Sequence, residues 1–546
     1  MNRKYFDRDI TQIGRSPFGI LVDQAGYEPD SKKTAVIPFE CDSFEVTDPE
    51  GKVCYTSGVC HHGYDEDSGD DVYTADLSGF RKEGTYRVRA KDRMSAAFEI
   101  KKGVYETVLD DTLKAFYYLR CGCGLDSACA GEYAHGKCHT EKAVLWEDHG
   151  VSLDVTGGWH DAGDYGRYVT AGACAAAHLL YAFRMFPAAY ENRDINIPEK
   201  GMPDILSECK YELEWLMKMQ SPDGGAYHKA TTALHAPFIM PELDKEQVYV
   251  FPVSSMATAD LAAVCALAAG IYEKYDRSFS AELFQTALKA ADWLDAHPEF
   301  IGFRNPEGCN TGGYGEGDDL SNRFWAYAEM YAVTGKEDYH EKMLSFADRT
   351  DLTGLGYADI GGLGSLSYLL SEQKKDEELV SAMKRAFGSK AAELKDLSDK
   401  SGYHVAMRKR EYCWGSNMNT MKNGMIFVID GYFNGQDNKT YAEGQVHYLL
   451  GANALGISYV TGTGEYCCNY PHLRPAFADG IEKCMPGMVA GGPNSRPGDP
   501  YAVEVIKEGT PPMKCYADDA ASYSLNEITI YWNSPTVFVL GYLCGK

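Results

Sequence analysis

Two aspartates three residues apart, Asp161 and Asp164, lie in the run Gly157-Gly-Trp-His-Asp-Ala-Gly-Asp-Tyr-Gly-Arg-Tyr168. A carboxylate held beside a water can take its proton, so a close pair of acids equips a chain for hydrolysis. Glycines at 157, 158, 163 and 166 permit positive φ and close backbone approach, which lets the chain turn sharply and present both acids in one direction. Trp159, Tyr165 and Tyr168 add flat rings, and apolar sugar faces stack on such rings. Spacing alone leaves a second reading open, because Asp-x-x-Asp also occurs in plain polar turns and cation-binding loops. The rings tip the balance toward a sugar site.

Cleavage of a glycosidic bond needs one more carboxyl, to protonate the leaving oxygen. The best candidate is Glu527, in Tyr523-Ser-Leu-Asn-Glu-Ile-Thr-Ile-Tyr-Trp-Asn533, just ahead of an apolar helical run. Taken alone, a Glu there could equally serve only the helix dipole. The runs Asp161-Ala-Gly-Asp164 and Ser524-Leu-Asn-Glu527, however, resemble the two acidic motifs of glycoside hydrolase family 9, a cellulase family with an α/α-barrel catalytic domain. That resemblance implies Asp164 as general base, Glu527 as general acid, and Asp161 as the residue that holds the water or sets the charge state of Asp164. It also implies inversion at the anomeric carbon, for which acid and base stand about 6.5 to 9.5 Å apart. Tyr470-Pro-His-Leu-Arg-Pro475 resembles the family's Pro-His-His-Arg motif, so His472 and Arg474 are expected to bind the sugar. Leu473 replaces the second His, which removes or moves one polar contact. Trp159, Tyr165, Trp325, Trp414 and Tyr523 complete the candidate substrate-binding set. Further matches at Ser221 to Lys229, Val250 to Asp260 and Cys413 to Asn417 extend the resemblance over nearly the whole chain.

Cys121, Cys138, His139 and His160 look like the zinc site of the family branch that carries an immunoglobulin-like module, with Cys123 as a substitute for Cys121. A closed Cys2His2 set would be structural and would pin the aspartate loop through His160. Among 17 cysteines, chance proximity is the competing reading. Gly317 to Trp325 sits where the family often has a calcium loop, and Asp318 and Asp319 are suitable oxygen ligands. Ser321 and Asn322 replace the next acidic pair, which weakens that site. No organic cofactor is expected.

These groups need a scaffold. From Ile20 to Ile100, short runs of period two separated by turn residues predict a β-sandwich, which resembles the immunoglobulin-like module of that branch. Its expected role is structural, packing against the larger domain, with a binding module as the alternative. After Gly103 the period becomes helical, and about a dozen amphipathic or apolar segments follow, from Val104–Arg120 to Leu525–Leu543. Pro203 reads as a first helical position, with Ile205, Cys209, Leu213, Leu216 and Met217 facing inward. The helical pattern alone does not specify a toroid; the resemblance implies an (α/α)6 barrel. The expected domains are 15–102, a sandwich, and 103–546, the catalytic barrel. Long Gly- and aromatic-rich stretches at 221–254, 302–321, 401–416 and 451–521 read as functional loops.

At 546 residues with 45% hydrophobic content, the chain can build more than one core. Its net charge of −26 repels phosphate backbones and anionic membranes, which argues against nucleic acid and suits a neutral substrate. No apolar run approaches the roughly 20 residues of a membrane span. The scattered cysteines read as reduced thiols, and the charged N-terminus lacks the apolar core of a signal peptide. The expectation is a cytoplasmic monomer, or a secreted one where a leader has been cut away. The expected activity is hydrolysis of β-1,4-glucan chains or cello-oligosaccharides, by an endoglucanase or a cellodextrinase. An exo-acting β-glucosidase or glucosaminidase of the same family is the alternative, and a sugar-binding protein without catalysis is the rival from another class. A lyase or a phosphorylase on a similar barrel fits less well, for want of the matching chemistry.

Overall fold

The computed structural model describes residues 16 to 545. The charged N-terminal run and residue 15, where the sandwich is expected to begin, lie outside the described residues. The chain divides into two compact units. One comprises the residues up to Ala115 together with those from Ala391 onward, and the other runs from Phe116 to Lys390.

The first unit contains the sandwich. One sheet has the spatial order Gly26–Tyr27, Phe98–Ile100, Gly84–Ala90, Ser43–Thr47, Val53–Gly58, with Arg93–Met94 added to Gly84–Ala90; the other has the order Thr34–Ile37, Asp70–Asp76, Cys60–Asp65. Alternation makes the core. In Gly84–Ala90 the side chains of Tyr86, Val88 and Ala90 are buried while Arg87 and Arg89 lie toward the surface. They meet Ile20, Val22, Phe44, Val46 and Phe98 between the sheets.

Helices Ser416–Asn434, Lys439–Leu449 and Ile530–Cys544 belong to the same unit, and the sandwich is tied into it by buried polar groups. Asp23 is fully buried; its Oδ1 accepts from the backbone amides of Ala25 and Gly26, and its Oδ2 meets His447 Nδ1 at 2.8 Å and accepts from the Tyr105 hydroxyl at 3.2 Å. Tyr403 donates to Asp70, which also pairs with Lys514 at 2.6 Å. These buried contacts join the sandwich to the helices of the same unit.

In the second unit two kinds of helix alternate. Val169–Met185, Ser255–Tyr272 and Leu320–Thr334 are buried almost all round, whereas Asp204–Lys218, Arg277–Ala296 and Glu337–Ala347 bury one face. Alanine dominates the first two buried helices, so neighbours can approach closely without losing helix propensity. Ser255–Tyr272 has the length and the mean hydropathy, 1.5, that a membrane span would need, contrary to the reading that no run comes close; 89% of it is buried inside the protein, as in a core helix. Pro203 caps Asp204–Lys218 from outside instead of opening it, and Met217 is only half-buried.

The stretch 221–254, read as a loop, is partly sheet. Lys229–Thr232 and Val248–Val250 join Ser152–Leu153, Ala143–Leu145 and Arg167–Tyr168 in a five-stranded sheet. In it Tyr168, which ends the aspartate loop, pairs directly with Lys229.

Replacing Asp23 by Ala leaves His447 and Tyr105 without their buried acceptor. We expect Asp23→Ala to lower stability by about 3 kcal/mol, read as an earlier transition in thermal unfolding followed by circular dichroism.

Candidate active site

The aspartate loop is held at both ends by backbone pairing and buried charge. On its entry side Leu119 to Cys121 runs antiparallel to Gly158 to His160, with Cys121 N donating to Gly158 O and His160 N to Leu119 O, each at 2.7 Å. Gly158 has φ +77, and a Cβ there would stand 2.7 Å from the Trp215 ring, so only glycine fits. On the exit side the Arg167 guanidinium donates to the carbonyls of Val155 and Gly157. Asp161 N donates to Gly166 O at 2.9 Å, which closes the loop between the acids. Gly166 matters for closeness, not for φ, since a Cβ would lie 2.8 Å from Asp164 Oδ2.

The two carboxylates are 1% and 6% exposed and have different surroundings. The Tyr314 hydroxyl donates to Asp161 Oδ2, while Asp161 Oδ1 is buried with no hydrogen-bond donor against it. Burial, and then the charge of Asp164, push the Asp161 carboxyl well above the usual range, against the bond from Tyr314. Asp164 Oδ2 accepts from the Tyr168 hydroxyl at 3.2 Å and lies 3.4 Å from Nδ1 of His235. Burial and both aspartates hold the Tyr168 phenol well above its usual range, so it stays a donor. Its oxygen in turn accepts from Gly312 N at 3.0 Å. Tyr314, His235 and the Gly312 amide were not among the residues singled out from sequence. The available signal was the run Gly312-Gly-Tyr-Gly315, an aromatic set among glycines like those of the aspartate loop.

The first unit holds the other candidates. Glu527 is half-buried, just past the single turn Tyr523–Asn526 and ahead of Ile530–Cys544. Its backbone is fixed on both sides, with Gly491 N donating to Glu527 O and His472 N to Asn526 O, each at 2.8 Å. His472 and Glu527 thus lie side by side in a parallel bridge. The amide of Asn526 donates to Tyr470 O and Asp518 Oδ1, which locks that pairing. His472 Nδ1 bonds Ala520 O at 2.6 Å, and Arg474 opens the helix Arg474–Ala478. Leu473 is buried, so the residue at the position of the expected second His packs inward. Trp414 is 48% exposed with its ring 5.2 Å from that of Tyr523, a flat surface of the kind sugars stack on.

With this geometry in place, the chain can be set against known proteins. The sequence profile described as "Glycosyl hydrolase family 9" matches residues 105–540, and that described as "Cellulase N-terminal ig-like domain" matches residues 17–95. The chain belongs to glycosyl hydrolase family 9. It is 44% identical to a cellodextrinase of Butyrivibrio fibrisolvens over 95% of this chain and 98% of that protein, and 33% identical to endoglucanase D of Acetivibrio thermocellus over 97% and 84%. A single-mutant thermostable endoglucanase from Alicyclobacillus acidocaldarius superposes with a TM-score of 0.91 at 33% identity, covering 97% of this chain and all of that one. The protein is therefore a glycoside hydrolase in which an immunoglobulin-like domain precedes a helical (α/α)6 barrel.

Within this family 9 chain, Cys121, Cys138, His139 and His160 converge, all buried, with one ligand atom from each within 4.8 Å of the others. Cys123 stands outside the group. Burial opposes ionisation of Cys121, but the hydrogen bond from Cys138 and the nearby charges of Arg167, His160 and His139 outweigh it and hold the thiol well below its usual range. His139 Nε2 meets Asp244 Oδ2 at 3.3 Å, while its Nδ1 is buried without a hydrogen-bond partner. An imidazole with a carboxylate behind it and an orphaned nitrogen in front is the arrangement of a metal ligand. Among the described residues this is the one such group of His, Cys and acidic side chains.

Several expected roles need correction. Trp159 is 1% exposed; its Nε1 donates to Glu208 at 2.8 Å and its ring packs 4.7 Å from Phe116, so it anchors the loop from inside and offers no face to a sugar. Trp325 is completely buried and donates to Glu329. Tyr165 donates to Ile239 O and packs on His139 and His160, walling the Cys2His2 cluster. Asp319 forms a buried ion pair with Arg323 at 2.9 Å, and Asp318 caps Leu320 N. Both carboxylates of the expected calcium loop thus already have partners within the chain.

A buried Trp and a sugar platform respond differently to truncation. We expect Trp325→Ala to cost about 3 to 5 kcal/mol of stability with no specific loss of affinity for cello-oligosaccharides, the first read by denaturant unfolding and the second by calorimetry on the folded fraction.

Proposed function

We propose that this family 9 enzyme hydrolyses β-1,4-glucosidic bonds of cello-oligosaccharides with inversion, Asp164 acting as general base, Asp161 holding the water, and Glu527 acting as general acid. The observation that carries the reading is the unlike pair on one loop. Asp161 is driven toward its neutral form by burial and then by the charge of Asp164, and is held by Tyr314, while Asp164 is oriented by Tyr168. Such a pair divides the work. The neutral, hydrogen-bonded member positions the water, and the charged member takes its proton as the water attacks the anomeric carbon. Glu527 then protonates the departing glycosidic oxygen, so one bond forms, one breaks, and the water's proton passes to Asp164. His472 and Arg474 would meet sugar hydroxyls, and the Trp414–Tyr523 surface a sugar face.

The cellodextrinase, 44% identical and matched over 98% of its length, supports short soluble chains as the substrate; endoglucanase D and the endoglucanase structure support a second reading, internal cleavage of the polymer. Rates on cellohexaose and on carboxymethyl-cellulose separate the two. We expect Asp164→Asn and Glu527→Gln each to lower kcat/KM by about 10²- to 10⁴-fold without unfolding, and NMR of fresh digests to show α-anomeric products from the parent. β-Anomeric products, or a folded variant with parental activity, would remove the assignment.

The Cys2His2 cluster would hold a zinc ion through Cys121 Sγ, Cys138 Sγ, His139 Nδ1 and His160, in the closed, structural manner of four-ligand sites. One solved relative with a TM-score of 0.90 is described as a Zn-binding triple mutant of a family 9 endoglucanase. When bound, the ion would supply a fixed cross-link whose charge the two thiolates neutralise, and His160 would transmit that rigidity to Asp161. Elemental analysis should give about one zinc per chain, and stripping it with a strong chelator should lower the thermal transition by at least about 5 °C, reversed by adding zinc and unaffected by calcium.

A further inference from the structure

Lys229 is a buried lysine beside the site that the proposed reaction does not use. Its ammonium donates to Asn305 Oδ1 at 2.7 Å, Thr311 Oγ1 at 2.9 Å and Gly312 O at 2.7 Å, and lies over the Phe251 ring at 4.4 Å. Burial pushes it down to about 8, against the pull of Cys309 and Asp164. Three of its partners lie in one segment, 305–314, which also supplies two contacts that orient the aspartates, the Gly312 amide on Tyr168 and the Tyr314 hydroxyl on Asp161. Tyr314 sits at φ +46, a region that a side chain as large as tyrosine enters only when its surroundings hold it there. Two adjacent residues do the holding from the neighbouring strand. Lys229 grips the carbonyl of Gly312, and His228, pushed down to about 3 by burial and hence neutral, bonds that of Gly313 at 2.8 Å.

We propose that Lys229 is a positioning residue of the hydrolytic reaction, acting through segment 305–314 to set Tyr168 on Asp164 and Tyr314 on Asp161. The inference rests on the assignment of those aspartates above. A buried ammonium suits the task because each of its hydrogens finds a fixed acceptor, and such charge-assisted bonds are stronger than neutral ones. Methionine has nearly the same length and suits the surrounding Phe251 and Phe303 rings, so Lys229→Met removes the bonds while retaining much of the packing.

The test is a double-mutant cycle on cellohexaose with Lys229→Met, Tyr314→Phe and the pair, alongside Asp164→Asn and the milder Thr311→Val. We expect Lys229→Met to lower kcat by about 30-fold with KM within about twofold, and to add less than about threefold in the Tyr314→Phe background, since both act through one segment. Should Lys229→Met fail to fold, Thr311→Val, which removes one acceptor, carries the same cycle with a smaller fall. A folded Lys229→Met with parental kcat, or losses that multiply independently, would overturn the proposal while a dead Asp164→Asn still upheld the base. Parental activity in Asp164→Asn would instead remove the reading on which the proposal rests.

Discussion

The burial of Arg120 is the constraint from which the catalytic loop follows. A guanidinium inside a protein costs several kcal/mol unless every donor is met, and here Glu208 takes three bonds and Glu199 two, at 2.8 to 3.1 Å, while Tyr211 lies beneath the group at 4.4 Å. Glu208 is shared with the Trp159 indole, and Glu212, one helical turn on, accepts from the Trp159 amide at 2.6 Å. Burial pushes Glu212 up to about 8, so this acceptor keeps a proton over the neutral range and adds no second charge beneath the loop. With Trp159 fixed in backbone and ring, the next two residues have little freedom. His160 falls beside Cys121, and Asp161 points where Tyr314 can reach it.

That arrangement explains why aromatic residues near the acids were the least legible part of the sequence. A Trp beside two aspartates satisfies equally well the requirements of a sugar platform and of a core anchor with one polar atom to place, and composition does not separate them. Trp159 and Trp325 took the second role because a glutamate stood behind each indole nitrogen, Glu208 from another helix and Glu329 one turn along the same one. Trp414 had no such partner named by spacing and lies open. Asp319 illustrates the same limit for charge, since an Arg four residues on in a helix pairs with a carboxylate that the spacing alone offered to a cation.

What could be read was whatever local chemistry alone determines. The switch from period two to helical period near Gly103 depends on successive residues, and both the sandwich and the alternating helices appeared where the pattern placed them. Cys121, Cys138, His139 and His160 were recoverable because the resemblance to a family branch singled them out among 17 cysteines, and soft donors of these types suit zinc. Lys229, His235 and Tyr314 were not, because their importance arises from pairing across a sheet that forms within a stretch rich in glycine and proline. Lys229 meets Tyr168 only through the register of two short strands. Nothing in either segment announces that partner.

In the proposed reaction, the distance at which this chain keeps its cation follows from what Asp164 must do as general base. A lysine bonded directly to Asp164 would hold the carboxylate in place but would also stabilise its charged form and weaken its pull on the water's proton. Lys229 instead spends its hydrogens on a neutral amide, a hydroxyl and a carbonyl, and the orienting bond that reaches Asp164 comes from the neutral Tyr168 phenol. Orientation is thereby passed along the network while most of the charge is not. The same logic governs Asp161, which receives a neutral phenol where an arginine would have kept it ionised. A site assembled in this way holds its two carboxylates rigidly and still leaves one of them able to accept a proton, which is the combination that attack by water requires.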